Sequence, residues 1–254
     1  KERPGLDHYI KEAGKGVLEQ IGGADNVDES VIGNFMAARF NKQGHLAAFV
    51  PMIDPGLKFK PSTRVEGACA SGALALATGI KSVLADASDI VLTLGVEVQN
   101  TVKAIYGADI LAGAGYFGER KEGHAYFFPG KFSDRAGAYY EKFGYDYTKK
   151  GLAVWYKNAI ENARLCPTAQ EYHNKTKDLV GLAMSKPNSK VFVDNLNVCA
   201  CSKVSDAASG IVITSEEGLA KAGIDKSDAV EVCGMGMAEY PINEPPADLT
   251  VMET

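Results

Sequence analysis

The sequence predicts an α/β protein organised around a largely parallel sheet, and three observations carry that reading. Strand-like and helix-like segments alternate along the first hundred residues and again near the C-terminus, the pattern of right-handed crossover units. Residues 70–85 have Lys81 as their one charge, with small and aliphatic side chains on every face. A helix apolar all round is buried on all sides, so this one is predicted to lie between two sheets. Residues 88–99 (SDIVLTLGVEVQ) then read as a central parallel strand, apolar nearly continuously through Leu94.

The elements follow in order. After Pro4 and Gly5, the residues Leu6, Tyr9, Ile10, Ala13, Val17, Leu18 and Ile21 repeat with a period near 3.6, a helix ended by Gly22-Gly23. Residues 30–35 (SVIGNF) read as a short buried strand. Residues 44–53 read as a second helix, stopped by Asp54-Pro55-Gly56. Residues 63–67 form a short extended run that feeds Cys69-Ala70-Ser71-Gly72, and a long helix continues to about Ala87. The alternation breaks over residues 100–197, where aromatics and Gly-rich turns such as Gly113-Ala114-Gly115 and Phe127-Phe128-Pro129-Gly130 collect around helical pieces at 133–143 and 152–164. So aromatic a stretch reads as an insertion or lid over the sheet edge rather than a linker. The rhythm resumes with a strand at 210–214, a helix at 216–222 and a last strand at 229–237 before a Pro-rich end. The predicted organisation is therefore 1–99 with 198–226 as one α/β half, 100–197 as the loop or lid region inserted in it, and 227–254 as the beginning of a second half.

Composition narrows the function. With 254 residues, 46% of them hydrophobic, the chain can bury a large core. Its formal net charge of -5 and the absence of any basic block argue against nucleic-acid binding. Its apolar runs are too short to span a bilayer, and Lys1 to Pro4 does not open a signal peptide. The five cysteines are odd in number and without paired spacing, which suits a reducing intracellular compartment: cytoplasm first, mitochondrion or peroxisome otherwise.

Cys69 falls where a strand ends and a helix begins. The first turn of a helix offers unpaired N–H groups and a partial positive charge, which favour a thiolate. Small neighbours at 70–72 leave room for a carbonyl to approach. On position alone a core cysteine is the competing reading. Cys199-x-Cys201 suggests metal, but no second Cys or His pair lies at ligand spacing, so no metal is expected. Gly113-Ala-Gly-Tyr-Phe-Gly118 matches a dinucleotide fingerprint in letters alone, since it does not follow a strand as a first βα turn.

Arg64-Val-Glu-Gly-Ala-Cys69-Ala-Ser-Gly72 and the small-residue helix after it resemble the nucleophile segment of the thiolase superfamily. The strand ending at Gly95-Val-Glu97, the stretch from Phe128 through Lys157-Asn158 and Asn162-Ala163 to Pro167-Thr-Ala-Gln170, and Cys201-Ser202-Lys-Val-Ser205-Asp206-Ala-Ala-Ser-Gly210 are similar to successive thiolase segments of the SCP2 and archaeal types. The resemblance implies the layered αβαβα thiolase fold, represented here by its first half, the lid region and the start of its second half. It implies an acyltransferase that makes or cleaves 3-oxoacyl-CoA through a Cys69 acyl-enzyme, with coenzyme A as substrate and no further cofactor. Ser202 falls where thiolases hold the pantetheine arm of CoA, against a competing reading as a turn serine. His124, in the lid region, is a candidate for binding CoA or hydrogen-bonding a thioester, against a plain loop histidine.

The sequence departs from the family by opening on a helix and ending at Thr254, without the second-half His and Cys motifs. The expectation is a partial chain that does not turn over as given. Two alternatives stay open: a synthase of the same fold, of the HMG-CoA or ketoacyl type, and a non-catalytic acyl-CoA or lipid-binding protein. A homodimer is expected, since in thiolases the strand before the nucleophile pairs with its twofold mate.

Overall fold

The computed structural model describes residues 3–120 and 126–252. The chain divides into two compact units, Lys1–Lys103 with Ser205–Met237 and Ala104–Val204 with Ala238–Thr254.

The first unit carries a four-stranded sheet in the order β2-β1-β3-β4, where β1 is Glu29–Gly33, β2 Ser62–Val65, β3 Ile90–Glu97 and β4 Ala207–Thr214. β1 runs parallel to β2 and β3, with Ile32 opposite both Arg64 and Leu94. β4 is antiparallel to β3, from Ile90 opposite Thr214 to Glu97 opposite Ala207. Side chains alternate across a strand, so Ile32, Leu92 and Leu94 share one face. There they pack with Ile10, Val17 and Leu18 of α1 (Leu6–Leu18) and with Leu46, Val50 and Ile53. Val31 and Val91 point to the other face, against Ala75 of α3 (Ser71–Leu84). α2 (Ala37–Phe40) is one short turn after β1, and α8 (Glu216–Ala222) follows β4.

Two expectations about this unit, those for residues 44–53 and 229–237, need correction. Residues 44–53 do not form an α-helix: Leu46–Met52 is a 3-10 helix with Pro51 inside it, stitched by Ala48 N donating to His45 O (3.1 Å) and Ile53 N to Val50 O (3.0 Å). Proline supplies no N–H and crowds the preceding turn, so an α-helix cannot run through it. The described strands form a single sheet on one side of α3, and Ala73 and Leu84 on its other face are exposed, Leu84 to 75%. Residues 229–237 make no strand, and Val230 is 94% exposed. A strand-like sequence forms a ladder only where another strand pairs with it.

The second unit is helical, with α4 (Ala104–Leu111), α5 (Phe127–Phe143), α6 (Tyr145–Ala163) and α7 (Leu179–Met184). α5 passes directly into α6 through Gly144, whose φ of 88° few other residues adopt. α6 buries Lys149, Ala153 and Ile160 along one face. α5 is tied to the segment after residue 193 by Ser133 Oγ, which accepts from Asn195 N (2.8 Å), and by Tyr140 Oη donating to Asn195 O (2.8 Å). Further along α5, Arg135 Nη1 donates to Leu249 O (2.6 Å), and Lys142 Nζ to Asp248 (3.0 Å). Among the described residues, no helix is long and apolar enough to cross a membrane.

Candidate active site

Cys69 sits in a single 3-10 turn, Ala68–Ala70, between the end of β2 and the start of α3, with its thiol exposed. The turn is tight enough to force Ala68 to a φ of 48°, a left-handed conformation that costs an L-residue with a Cβ about 1–2 kcal/mol. Local hydrogen bonds hold it. Ser71 Oγ donates to Ala68 O (2.7 Å) and accepts from Gly67 N (3.1 Å), while the Glu66 carboxylate accepts from Ala68 N (2.5 Å). The helix start is pressed onto the sheet: a Cβ on Gly33 would stand 2.2 Å from Ser71 O, and one on Gly79 2.7 Å from Thr93 Cγ2. An exposed thiol on a fixed turn at a helix N-terminus can attack an incoming carbonyl without backbone rearrangement.

The carboxyl ends of the three parallel strands meet in a polar cluster. Arg64, at the end of β2, donates through Nη2 to Asn34 O (2.9 Å), Asn34 Oδ1 (3.1 Å) and Phe35 O (2.9 Å). Glu97, the last residue of β3, accepts from Phe35 N (3.0 Å) and Asn34 Nδ2 (3.2 Å). Asn34 is 1% exposed and also donates to Val96 O (2.9 Å). Burial pushes the Glu97 carboxyl up, against the downward pull of the Phe35 and Met36 N–H groups, Asn34 and the Arg64 charge. The cluster has no assigned role in the sequence reading. Its one local signal is a polar Asn34 at the end of an otherwise buried apolar strand.

Ser202 belongs to the second unit and lines a cleft of about 540 Å³. Phe128, Phe132 and Tyr139 of α5, Leu152 of α6, and Leu196 form its apolar walls, with Arg135, Thr148, Cys201 and Ser202 as polar points. That size and lining suit a small organic ligand. Apolar surroundings push the Cys201 thiol up, although much of the residue is exposed. His124 lies outside the described residues. All five cysteines are unbridged. Among the described residues, no group of three or more His, Cys, Asp or Glu side chains could hold a metal ion.

The turn bearing Cys69 follows a parallel strand, a small-residue helix is pressed on the sheet, and a helical insertion lies between the last two strands. Residues 6–127 match the thiolase N-terminal domain, and the chain belongs to the thiolase superfamily. It is 33% identical to the acetyl-CoA acetyltransferase of Methanocaldococcus jannaschii over 228 residues, covering 88% of this chain and 54% of that protein. It is 35% identical to the acetyl-CoA acetyltransferase of Methanothermobacter thermautotrophicus over 206 residues, covering 80% and 50%. It is 26% identical to the benzoylsuccinyl-CoA thiolase subunit BbsB of Thauera aromatica over 190 residues, covering 75% and 46%. The chain thus spans about half the length of the curated relatives it matches.

Proposed function

We propose that the protein is a thiolase-type acyltransferase acting on CoA thioesters, with Cys69 as the residue that carries the acyl group. The observation that supports this most is the Cys69 turn: an exposed thiol between β2 and α3, in a chain similar over most of its length to acetyl-CoA acetyltransferases. In the first half-reaction the Cys69 thiolate attacks the thioester carbonyl. The carbon–sulfur bond to CoA breaks, and CoA leaves as its thiol once it has gained a proton. In the second, a carbanion from another acyl-CoA or the thiol of free CoA takes the acyl group, giving condensation or thiolysis according to direction.

Ser202 is the proposed contact for the pantetheine arm, supported by the apolar cleft that it lines. His124 is a proposed CoA- or thioester-binding residue on sequence grounds alone. The homodimer reading is supported by β2, an edge strand of the sheet whose outer side is open to pairing with a second copy. Five unbridged cysteines support a reducing compartment, cytoplasm before mitochondrion or peroxisome.

The test is incubation with acetyl-CoA followed by intact-mass spectrometry and peptide mapping. One acetyl group on the Cys69 peptide, removed by added CoA, is the expected result. No acetylation, or acetylation that persists in Cys69→Ala, overturns the assignment.

A further inference from the structure

The Cys69 turn rests on the sheet at both of its ends, and both supports run through the same three residues at the end of β1. On the upstream side, Asn34 N donates to Val65 O (3.2 Å), and Arg64, five residues before the cysteine, grips the carbonyls of Asn34 and Phe35 (2.9 Å each). On the downstream side, Ser71 O lies against Gly33, where no Cβ fits. The segment Gly33-Asn34-Phe35 is in turn held from β3, where Glu97 accepts from Phe35 N (3.0 Å) and Asn34 Nδ2 (3.2 Å). The thiol's position relative to the sheet is therefore fixed by a chain of contacts that starts at Glu97, passes through Asn34 and Phe35, and ends at Arg64 and Ser71. The cluster is also incompletely satisfied: Arg64 Nε is buried and has no hydrogen-bond partner among the described residues. A buried donor left unpaired is unfavourable, so the guanidinium is held where it is by its other contacts.

We propose that Glu97 and Arg64, joined through Asn34, are positioning residues for the Cys69 thiol. This rests on the reading of Cys69 as the acyl-accepting nucleophile. Neither side chain takes part in bond making. Their effect is to hold the 67–71 turn in one conformation, so that the sulfur meets a bound thioester carbonyl at the angle that attack requires. A large, oriented acyl donor depends on that placement, and a shift of about 1 Å can cost on the order of a hundredfold in rate. A small alkylating agent that attacks the thiol from solvent depends on it far less.

The experiment compares two reactions of Cys69 in the purified protein, single-turnover acetylation by acetyl-CoA and alkylation by iodoacetamide, in the parent and in Arg64→Met, Arg64→Lys and Glu97→Gln. Peptide mass spectrometry reads both, and circular dichroism of each variant checks that the fold is retained. The expected result for Arg64→Met is acetylation slowed about ten- to a hundredfold at saturating acetyl-CoA, with alkylation changed less than about threefold. Arg64→Lys recovers part of the rate, because an ammonium can reach one of the two carbonyls. Glu97→Gln, which keeps shape and one acceptor, shows a smaller loss of the same kind. Acetylation unchanged in both Arg64→Met and Glu97→Gln overturns the positioning role alone. So does a parallel fall in acetylation and alkylation, which marks a purely structural contact. No acetylation of Cys69 in the parent overturns the nucleophile reading, and the positioning role with it.

Discussion

Gly33 faces the backbone carbonyl of Ser71 so closely that a Cβ there would stand 2.2 Å from the oxygen, whereas a Cβ on Gly95, on the neighbouring strand, would meet Gly72 Cα at 3.6 Å. The obstacle at Gly33 is main chain, which cannot rotate away. Gly33→Ala is therefore expected to destabilise the protein by about 1–3 kcal/mol through forced backbone shift and to loosen the start of α3. Gly95→Ala is expected to be neutral or to gain up to about 0.5 kcal/mol from the lower backbone entropy of alanine. Urea titration of the two variants checks this; equal midpoints would mean that the helix does not press on β1.

Glu97 gives a pH signature with a definite sign. Its pKa is raised by burial, so the folded protein holds that proton more tightly than the unfolded chain does. The stability linked to it is fully present below the ordinary glutamate range and is lost as pH rises through the raised value. Glu97→Gln cannot titrate. The difference in Tm between parent and Glu97→Gln is expected to fall across the weakly acidic range and then level off. A difference that is flat with pH refutes the raised pKa.

Lys149 is 1% exposed on the inner face of α6, and burial pushes its ammonium down, opposed by the neighbouring Cys199 thiol. Here the sign is the reverse. The folded protein binds this proton less tightly, so its contribution to stability is present above the ordinary lysine range and is lost as pH falls through the lowered value. Lys149→Met, of similar shape, is expected to stabilise by about 1–3 kcal/mol at neutral pH by removing an expensive buried charge. The advantage should shrink as pH approaches the ordinary lysine range. Denaturant melts of the two proteins at several pH values measure it.

The two exposed thiols near the candidate sites should differ in reactivity. Cys201 is held up by its apolar cleft wall, which leaves less thiolate at neutral pH, while Cys69 stands on an open turn. Iodoacetamide at neutral pH is expected to label Cys69 before Cys201, as read by peptide mass spectrometry. Prior labelling of Cys201 contradicts the assignment.

Ser202→Ala tests the cleft. On the proposal that Ser202 meets the pantetheine arm, loss of one hydrogen bond of about 0.5–1.5 kcal/mol is expected to weaken CoA binding roughly two- to tenfold, and Phe132→Ala is expected to weaken it further by opening the wall. Calorimetric titration with CoA is the measurement, and unchanged affinity in both variants places pantetheine elsewhere.

The parts of the fold that could be read from sequence are those set by neighbours in the chain. α8 has the bounds its pattern predicts, because Ser215 Oγ accepts from Gly218 N (2.9 Å) at one end and Gly223 takes a φ of 67° at the other. β1, β3 and β4 follow from apolar runs bounded by turns. α5 begins earlier than its apolar pattern suggests, at Phe127, because Pro129 in a first turn interrupts no helical hydrogen bond. What could not be read depends on partners distant in the chain. The absence of a strand at 229–237 is one case, since an apolar run carries no mark of whether a partner strand lies beside it. The cluster is another: Asn34, Arg64 and Glu97 are separated by 30 residues or more, and only the parallel register brings them together. The strand, turn and helix around Cys69 are legible because they are contiguous in the chain.

The helical insertion leaves the sheet at the end of β3 and returns at the start of β4, and these two points are partners: Glu97 is opposite Ala207. Asp206 closes the gap by accepting from Gln99 N (2.7 Å) and Asn100 N (2.9 Å). Seen from the sheet, more than a hundred residues occupy the position of a hairpin turn. The insertion's length therefore lies outside the ladder, and the register of β3 against β4 is set by the paired strands and the Asp206 clasp rather than by how many residues intervene.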